Sequence, residues 1–197
     1  MGLMLSVLWA VLISPAQAGT TVLTSDTFED GDQVSFQAGF WSGECWASVY
    51  EASPDQYPFQ IDSVEMLVYS SSAASGFYYF RMHDVGTDNA PDTVFAETYV
   101  SMEGASKSLN QLVLAETEWS SGGPKQITSG KFAVSVCIDD ETAGGASSFP
   151  QIGADTDGVG STTANWIYAD GYGWVKSATL GLKGDWIMRS TVSGPNI

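Results

Sequence analysis

Hydrophobic and polar residues alternate with a period of two along much of this chain. In KFAVSVCID, four large apolar residues share one face: Phe132, Val134, Val136 and Ile138. In IDSVEMLVY, the apolar residues standing among polar neighbours are Ile61, Val64, Met66 and Val68. Successive side chains of a β-strand point to opposite sides of the sheet, so this alternation predicts strands with one face in a core.

The segments between these runs are rich in Gly, Ser and Asp, as in SSGGPK, DDETAGGASS and ADGYG, and they predict turns. GFYYFRMHD, DTVFAETYV and GDWIMRSTV are further strands, and Trp186 alternates with Met188 in the last of them, which places it in the core. SLNQLVLAE fits a helix or a strand equally well. About ten or eleven short strands predict an all-β fold, an antiparallel two-sheet β-sandwich resembling a jelly roll.

The amino-terminal segment MGLMLSVLWAVLISPAQA is typical of a secretory signal peptide. Its apolar run is shorter than the ~20 residues that span a bilayer, and it ends in the small-residue pattern Ala16-Gln17-Ala18. We therefore expect residues 1–18 to be a cleaved signal peptide and residues 19–197 to form a single β-sandwich domain. The expected location is extracellular, either secreted or at the cell surface.

The charge is strongly one-sided, with 23 acidic against 7 basic residues and a formal net charge of −16. Binding to nucleic acids or to anionic membranes depends on Lys and Arg, so we expect neither nucleic-acid binding nor membrane insertion. A solvated acidic surface that keeps an exported protein soluble is the simplest explanation. The carboxylates also leave open a role in binding a cation.

The chain has two cysteines, Cys45 and Cys137. An even number in an exported protein indicates a disulfide, which would be worth about 4–5 kcal/mol in the chain-entropy model. The alternative is two separate buried thiols. A zinc site is poorly supported, because His83 is the sole histidine and there is no Cys-x-x-Cys motif.

Three segments carry a resemblance to a known family: GECWASVYEASPDQYPFQIDSVEMLV, FRMHDVGTDNAPDTVFAE, and FPQIGADTDG followed by NWIYADGYGWVKSATLGLKGDWIMRSTV. They resemble an uncharacterised family of secreted proteobacterial β-sandwich domains that close with a G-D/N-W-I-x-R strand. The middle segment is similar to a D-x-x-G-x-P-G-x-x-L hairpin, with Asp92 in place of Gly and Phe95 in place of Leu. The resemblance covers most of residues 33–192 and implies the fold and secretion, but no activity.

No catalytic residue is predicted. A nucleophilic triad could only use His83, next to Asp84, but there is no G-x-S-x-G motif, and we interpret His83 as an ordinary strand residue at a sheet edge. A glycosidase needs two carboxylates facing one cleft, and no strand carries alternating acids. We expect a protein without enzymatic activity; an acidic glycosidase that uses a carboxylate pair is the alternative.

Several acids lie beside or near glycines, in predicted loops or, for Asp185, at the start of the last predicted strand, and such acids often supply oxygen ligands for Ca²⁺. The candidates are Glu29 and Asp30 in FEDGD, Asp155 and Asp157 in DTDGVG, and Asp185 in GDWIM. They predict a structural Ca²⁺ site by analogy with jelly-roll modules in which an early loop meets the last strand. The alternative is that Asp and Gly are simply common in tight turns.

NWIYADGYGW is the best candidate for ligand binding, with Trp166, Tyr168, Tyr172 and Trp174. Aromatic rings stack on sugars, so these residues predict a carbohydrate-binding site, with an extracellular polysaccharide or another surface component as partner. Large aromatics also fill small β-sandwich cores, which is the alternative. The predicted function is a non-catalytic binding or surface module, and a purely structural or adhesive protein is the second possibility.

Overall fold

The computed structural model describes residues 18–29, 31–69, 76–102, 108–139, 151–156 and 163–197. Two predicted calcium ligands, Asp30 and Asp157, lie outside the described residues, as does the predicted signal peptide except for its last residue, Ala18. Within the described ranges, no helix is long and apolar enough to cross a membrane.

The described segments contain fourteen strands. They are β1 (Gly19–Thr24), β2 (Val34–Gln37), β3 (Cys45–Glu51), β4 (Gln60–Tyr69), β5 (Gly76–Val85), β6 (Pro91–Met102), β7 (Ser108–Val113), β8 (Trp119–Ser121), β9 (Lys131–Ile138), β10 (Gln151–Asp155), β11 (Asn165–Ala169), β12 (Gly173–Lys176), β13 (Asp185–Trp186) and β14 (Met188–Gly194). Short 3-10 helices lie at Pro54–Gln56, Leu114–Glu116 and Ser177–Leu180. One reason that the strands outnumber the predicted ten or eleven is that the predicted strand GDWIMRSTV is divided into β13 and β14.

The strands form two antiparallel sheets, which confirms the predicted all-β sandwich. In sheet A, β4 pairs with β14 on one edge and with β7 on the other, and β1 continues the sheet beyond β14. Strand β10 pairs with the end of β4 and carries β2 and β13 on its two edges. Sheet B has the order β12-β11-β3-β9-β5-β6-β8.

The core between the sheets contains the residues that alternation predicted. All eight apolar residues singled out in KFAVSVCID and IDSVEMLVY are buried in it. Trp186 and Met188 are also buried there, as expected. The hydroxyl of Tyr50, on β3, donates a hydrogen bond of 2.6 Å to the Met188 carbonyl on β14 and so links the sheets. Burial raises the pKa of Tyr50.

A β-bulge explains how Ile61 and Val64 reach the same core despite a three-residue step. Ile61 lies opposite Val192, whereas Ser63 lies opposite Thr191, so one extra residue stands between them on β4. A bulge shifts the alternation by one position and restores the inward direction of the next side chain. The ambiguous segment SLNQLVLAE is a strand, β7, followed by the 3-10 helix Leu114–Glu116.

The closing motif GDWIMR is held by structural contacts. Gly184 has φ +92°, and a Cβ there would lie 1.8 Å from the Asp155 carbonyl oxygen, so only glycine fits. Trp186 fills the core. Arg189 pairs with the buried carboxylate of Asp26, with Nη2 and Oδ1 2.5 Å apart. These contacts account for the motif without assigning it a ligand.

Candidate functional site

The hairpin formed by β11 and β12 carries an aromatic pair on the outer face of sheet B. Tyr168 lies opposite Trp174 in the strand register. Their ring centroids are 5.5 Å apart with an interplanar angle of 71°, an edge-to-face arrangement. Tyr168 is 36% exposed, and Trp174 is half-buried. The pair forms an aromatic corner that is open to solvent on one side.

Trp174 rests against His83, whose ring is 5.6 Å away at 89°. His83 is buried; its Nδ1 is 3.1 Å from the Asp92 carbonyl oxygen, and its Nε2 is 2.8 Å from the Ser135 hydroxyl. A carbonyl only accepts, so Nδ1 carries the proton, and in the neutral ring the Ser135 hydroxyl donates to Nε2. Burial lowers the pKa of His83, which keeps the ring neutral under the indole.

The position of His83 corrects the expectation of a sheet-edge residue, because β5 lies between β9 and β6 inside sheet B. The predicted partner for a triad, Asp84, binds Lys125 at 3.3 Å. The group that orients the imidazole is instead a backbone carbonyl. Ser135 is fully buried, so its hydroxyl cannot reach a substrate in this conformation.

Trp166 corrects part of the sequence-based site. It lies on the same face as Tyr168 but is only 4% exposed, packed with Ala47, Val49 and Ala133. Its indole Nε1 donates to the Thr163 carbonyl at 3.1 Å. The two-residue spacing correctly predicted a shared face, but it could not show that neighbouring strands cover the ring. Trp166 therefore belongs to a buried cluster on this face, and Trp174 packs against that cluster.

Tyr172 lies at the tip of the β11–β12 hairpin and is 84% exposed. Its backbone N–H donates to the Ala169 carbonyl at 3.0 Å, which closes the turn. Gly171 and Gly173 on either side have φ +78° and +74°, values that glycine tolerates best. The glycines thus present the Tyr172 ring beyond the end of the sheet, close in sequence to the aromatic pair.

The strand register places six residues in one line across sheet B, which we call the aromatic row. Along β12, β11, β3, β9, β5 and β6, they are Trp174, Tyr168, Cys45, Cys137, Tyr79 and Tyr99. Two aromatic residues therefore stand at each end of the line, and a cystine lies at its centre. The residues that sequence reasoning missed here are Tyr79 and Tyr99.

The second aromatic pair has its own polar surroundings. Tyr79 and Tyr99 have ring centroids 5.1 Å apart, and the Tyr99 hydroxyl donates to Asp139. The Arg81 guanidinium lies 5.3 Å from the Tyr79 centroid and pairs with Glu97 at 2.6 Å. This end of the aromatic row therefore combines aromatic rings with hydrogen-bond donors and acceptors, some of them positively and some negatively charged.

The predicted disulfide between Cys45 and Cys137 is confirmed. The cysteines face each other on the neighbouring strands β3 and β9, with Cα atoms 4.0 Å apart. Both are almost fully buried, and Arg81 Nη1 donates to the Cys137 sulfur at 3.3 Å. The alternative of two separate thiols is wrong.

Two of the predicted calcium ligands lie side by side. Asp155 and Asp185 are opposite each other on β10 and β13, and both are buried. The Asp155 carboxylate accepts hydrogen bonds from Thr27, from the backbone N–H at 3.2 Å and from the hydroxyl at 2.9 Å. Asp185 accepts a hydrogen bond from the Asn165 amide. Asp155 ends a strand, which corrects the expectation that it begins a loop.

The described residues do not assemble a cation site by themselves. Glu29 is exposed, and its backbone N–H binds the Asp32 carboxylate at 2.8 Å. No group of three or more His, Cys, Asp or Glu side chains in the described part of the chain is arranged to hold a metal ion. Arg189 supplies positive charge nearby, and its pKa is raised by its hydrogen bonds to Asp26 and further by the charge of Asp155.

Calcium binding stays a prediction from the sequence. If a structural Ca²⁺ is bound, EDTA at constant ionic strength should lower the melting temperature by about 5–10 °C. The reason is that a ligand at a hundred times its dissociation constant raises the free energy of unfolding by roughly 2.7 kcal/mol. Asp155→Asn should remove the response to EDTA. Differential scanning calorimetry with and without added Ca²⁺ is the measurement. An identical melting temperature in EDTA and in Ca²⁺ would exclude a structural calcium.

Comparisons with known proteins support the fold. No protein-family model matches the sequence, and a search of curated proteins finds no significant match. Among solved structures, the chain is similar to the cysteine protease and lectin-like domains of Cwp84, a surface layer associated protein of Clostridium difficile. The TM-score is 0.58 with 14% identity, over 88% of this chain and 36% of that one.

A second structure, a variant of the clostridial cysteine protease Cwp84 after propeptide cleavage, gives a TM-score of 0.57 with 14% identity, over 88% of this chain and 40% of that chain. The chain thus spans about two fifths of the length of these neighbours. At this level of identity, the likeness shows a shared β-sandwich architecture.

Proposed function

We propose that this protein is an extracellular, non-catalytic carbohydrate-binding module, and that its binding surface is the outer face of sheet B. The observation that carries the proposal is the solvent-open corner formed by Tyr168 and Trp174. The C–H faces of a pyranose ring are apolar, so stacking on an aromatic face removes apolar surface from water on both sides.

The corner is rigid, which favours binding. Tyr168 and Trp174 stand on paired strands, and the neutral His83 ring supports the indole from beneath. A site held by strands and packed neighbours loses little side-chain freedom when it binds. Elsewhere on the same face, the ion pair of Arg81 and Glu97 adds groups that can hydrogen-bond to hydroxyls.

Two further observations support the proposal. Cwp84, whose architecture this chain shares, is associated with a surface layer and includes a lectin-like domain. The net charge of −16 repels acidic polymers, so it favours neutral polysaccharides as ligands. An acidic and soluble surface also suits a protein exported to the cell exterior.

The test is native affinity electrophoresis in gels that contain hydroxyethylcellulose, mannan or glycol chitin. We expect at least one of these polymers to retard the protein, and Trp174→Ala or Tyr168→Ala to weaken the interaction about tenfold or more. Tyr69→Ala is the matched control, because this half-buried tyrosine packs on Phe36 on the outer face of the other sheet. Its retardation should equal that of the wild type.

Three results would contradict the proposal. They are the absence of retardation in all three gels, retardation that survives replacement of both Tyr168 and Trp174, and release of reducing ends from a retarding polymer. The last result would favour the glycosidase alternative, because a non-catalytic module leaves its polymer intact.

A further inference from the structure

The aromatic row extends well beyond the corner formed by Tyr168 and Trp174. We propose that the site is an elongated one, in which a neutral polysaccharide lies across the strands of sheet B and reaches a second subsite at Tyr79 and Tyr99. This inference rests on the proposed function, and it names the class of ligand: a chain of several sugars, bound along its length.

The strand register gives the scale. Tyr168 and Tyr79 are separated by β3 and β9, so they stand three strand spacings apart. Neighbouring strands are about 4.8 Å apart, which puts about 14 Å between these two positions and about 24 Å between the ends of the aromatic row. A single sugar ring cannot touch both pairs, whereas an oligosaccharide can.

The centre of the aromatic row is buried, because the cystine and its neighbours Ala47 and Ser135 are at most 2% exposed. Arg81 lies next to the cystine, with Nη1 3.3 Å from the Cys137 sulfur. A ligand that joins the two aromatic pairs would therefore pass over the side chains that cover the centre. The disulfide also fixes β3 to β9, which holds the two subsites at a constant separation.

The second subsite has the chemistry of a sugar contact. Tyr79 and Tyr99 offer ring surface, and Tyr99 is 41% exposed. Glu97 accepts hydrogen bonds and Arg81 donates them, within one side-chain length of the rings. Sugar hydroxyls both donate and accept, so a mixed pair matches them better than a patch of one sign does.

The presence of both positive and negative side chains at the second subsite also distinguishes between possible classes of ligand. An apolar protein partner would need a larger continuous apolar surface than two separated ring pairs provide. An acidic polymer would meet the Glu97 and Asp139 carboxylates in addition to the acidic surface of the whole protein. A neutral polysaccharide satisfies both the rings and the hydroxyl-binding groups.

Isothermal titration calorimetry with cello-, manno- and chito-oligosaccharides, from disaccharide to hexasaccharide, tests the inference. For the series that binds, wild-type affinity should rise with length until both subsites are occupied. Tyr79→Ala and Tyr99→Ala should weaken binding of the hexasaccharide about tenfold and leave binding of the disaccharide unchanged. Tyr168→Ala should weaken both.

Two controls keep the result interpretable. Tyr79→Phe retains the ring and should bind like the wild type, and the melting temperature of each variant reports whether it is folded. The elongated site is wrong if affinity stops rising at the disaccharide, or if Tyr79→Ala weakens binding equally for oligosaccharides of all lengths. Either result leaves the proposed site at Tyr168 and Trp174 intact. If the wild-type protein binds none of the three oligosaccharide series, the proposed function is wrong, and so is this inference.

Discussion

Reduction of the Cys45–Cys137 disulfide is expected to lower the free energy of unfolding by about 4–5 kcal/mol. The cysteines are 92 residues apart in sequence, so the cross-link removes much of the freedom of the unfolded chain. Urea unfolding of the oxidised and the reduced protein, each fitted for its midpoint and slope, measures the loss. For a domain whose stability lies between about 5 and 15 kcal/mol, this is about a third or more of the total.

Chemical reduction is the right comparison, because it leaves both sulfur atoms in place. The double variant Cys45→Ala/Cys137→Ala additionally loses the sulfur that accepts a hydrogen bond from Arg81. It should therefore be at least as unstable as the reduced wild type. Equal unfolding midpoints for the oxidised and reduced protein would show that the cross-link does not constrain the unfolded chain.

Replacement of Arg189 by Met is expected to cost about 3–5 kcal/mol, because it leaves the Asp26 carboxylate buried without its cation. The side chain of Asp26 is fully buried, and Arg189 binds it through Nε at 3.2 Å and Nη2 at 2.5 Å. The guanidinium also donates to the Phe28 carbonyl. Arg189 therefore links the loop that follows β1 to β14.

The matched control is the double variant Asp26→Leu/Arg189→Met. A buried pair replaced by apolar residues is often nearly neutral, so the double variant should recover most of the stability that Arg189→Met loses. Urea unfolding of the four proteins in this cycle gives the coupling energy. A loss below about 1 kcal/mol in Arg189→Met alone would falsify the view that this ion pair stabilises the sandwich.

The fold was predictable wherever alternation was strict. The run from Phe132 to Ile138 places its apolar residues in the core as expected, and the buried Trp186 follows the same rule. The step from Ile61 to Val64 conceals a bulge that depends on the partner strand, so sequence alone could not explain it. The division of the predicted strand GDWIMRSTV into β13 and β14 depends on their partner strands, because β13 pairs with β10 whereas β14 pairs with β1 and β4.

The candidate site was only half predictable. Tyr168 and Trp174 flank a glycine turn, and that local signal was sufficient to single them out. Tyr79 and Tyr99 join them only through the order of six strands, which is long-range information. A usable signal did exist: Cys45 and Cys137 fix the register of β3 on β9, and the neighbouring strands extend that register to both pairs.

Burial accounts for the remaining differences. Sequence shows that Trp166 shares a face with Tyr168, but not that side chains of β3 and β9 pack against it. It shows an acid beside a glycine at Asp155, but not that Thr27, distant in sequence, supplies hydrogen-bond donors to the carboxylate. Solvent exposure is a property of the assembled sheets, so it could not be read from neighbouring residues.

The position of β14 has a consequence for when the protein can fold. β14 is formed by Met188–Gly194 and is inserted between β1, from the opposite end of the chain, and β4. Sheet A cannot close before these late residues are available, and such distant pairings make folding slow. Sheet A therefore stays incomplete until β14 has been synthesised.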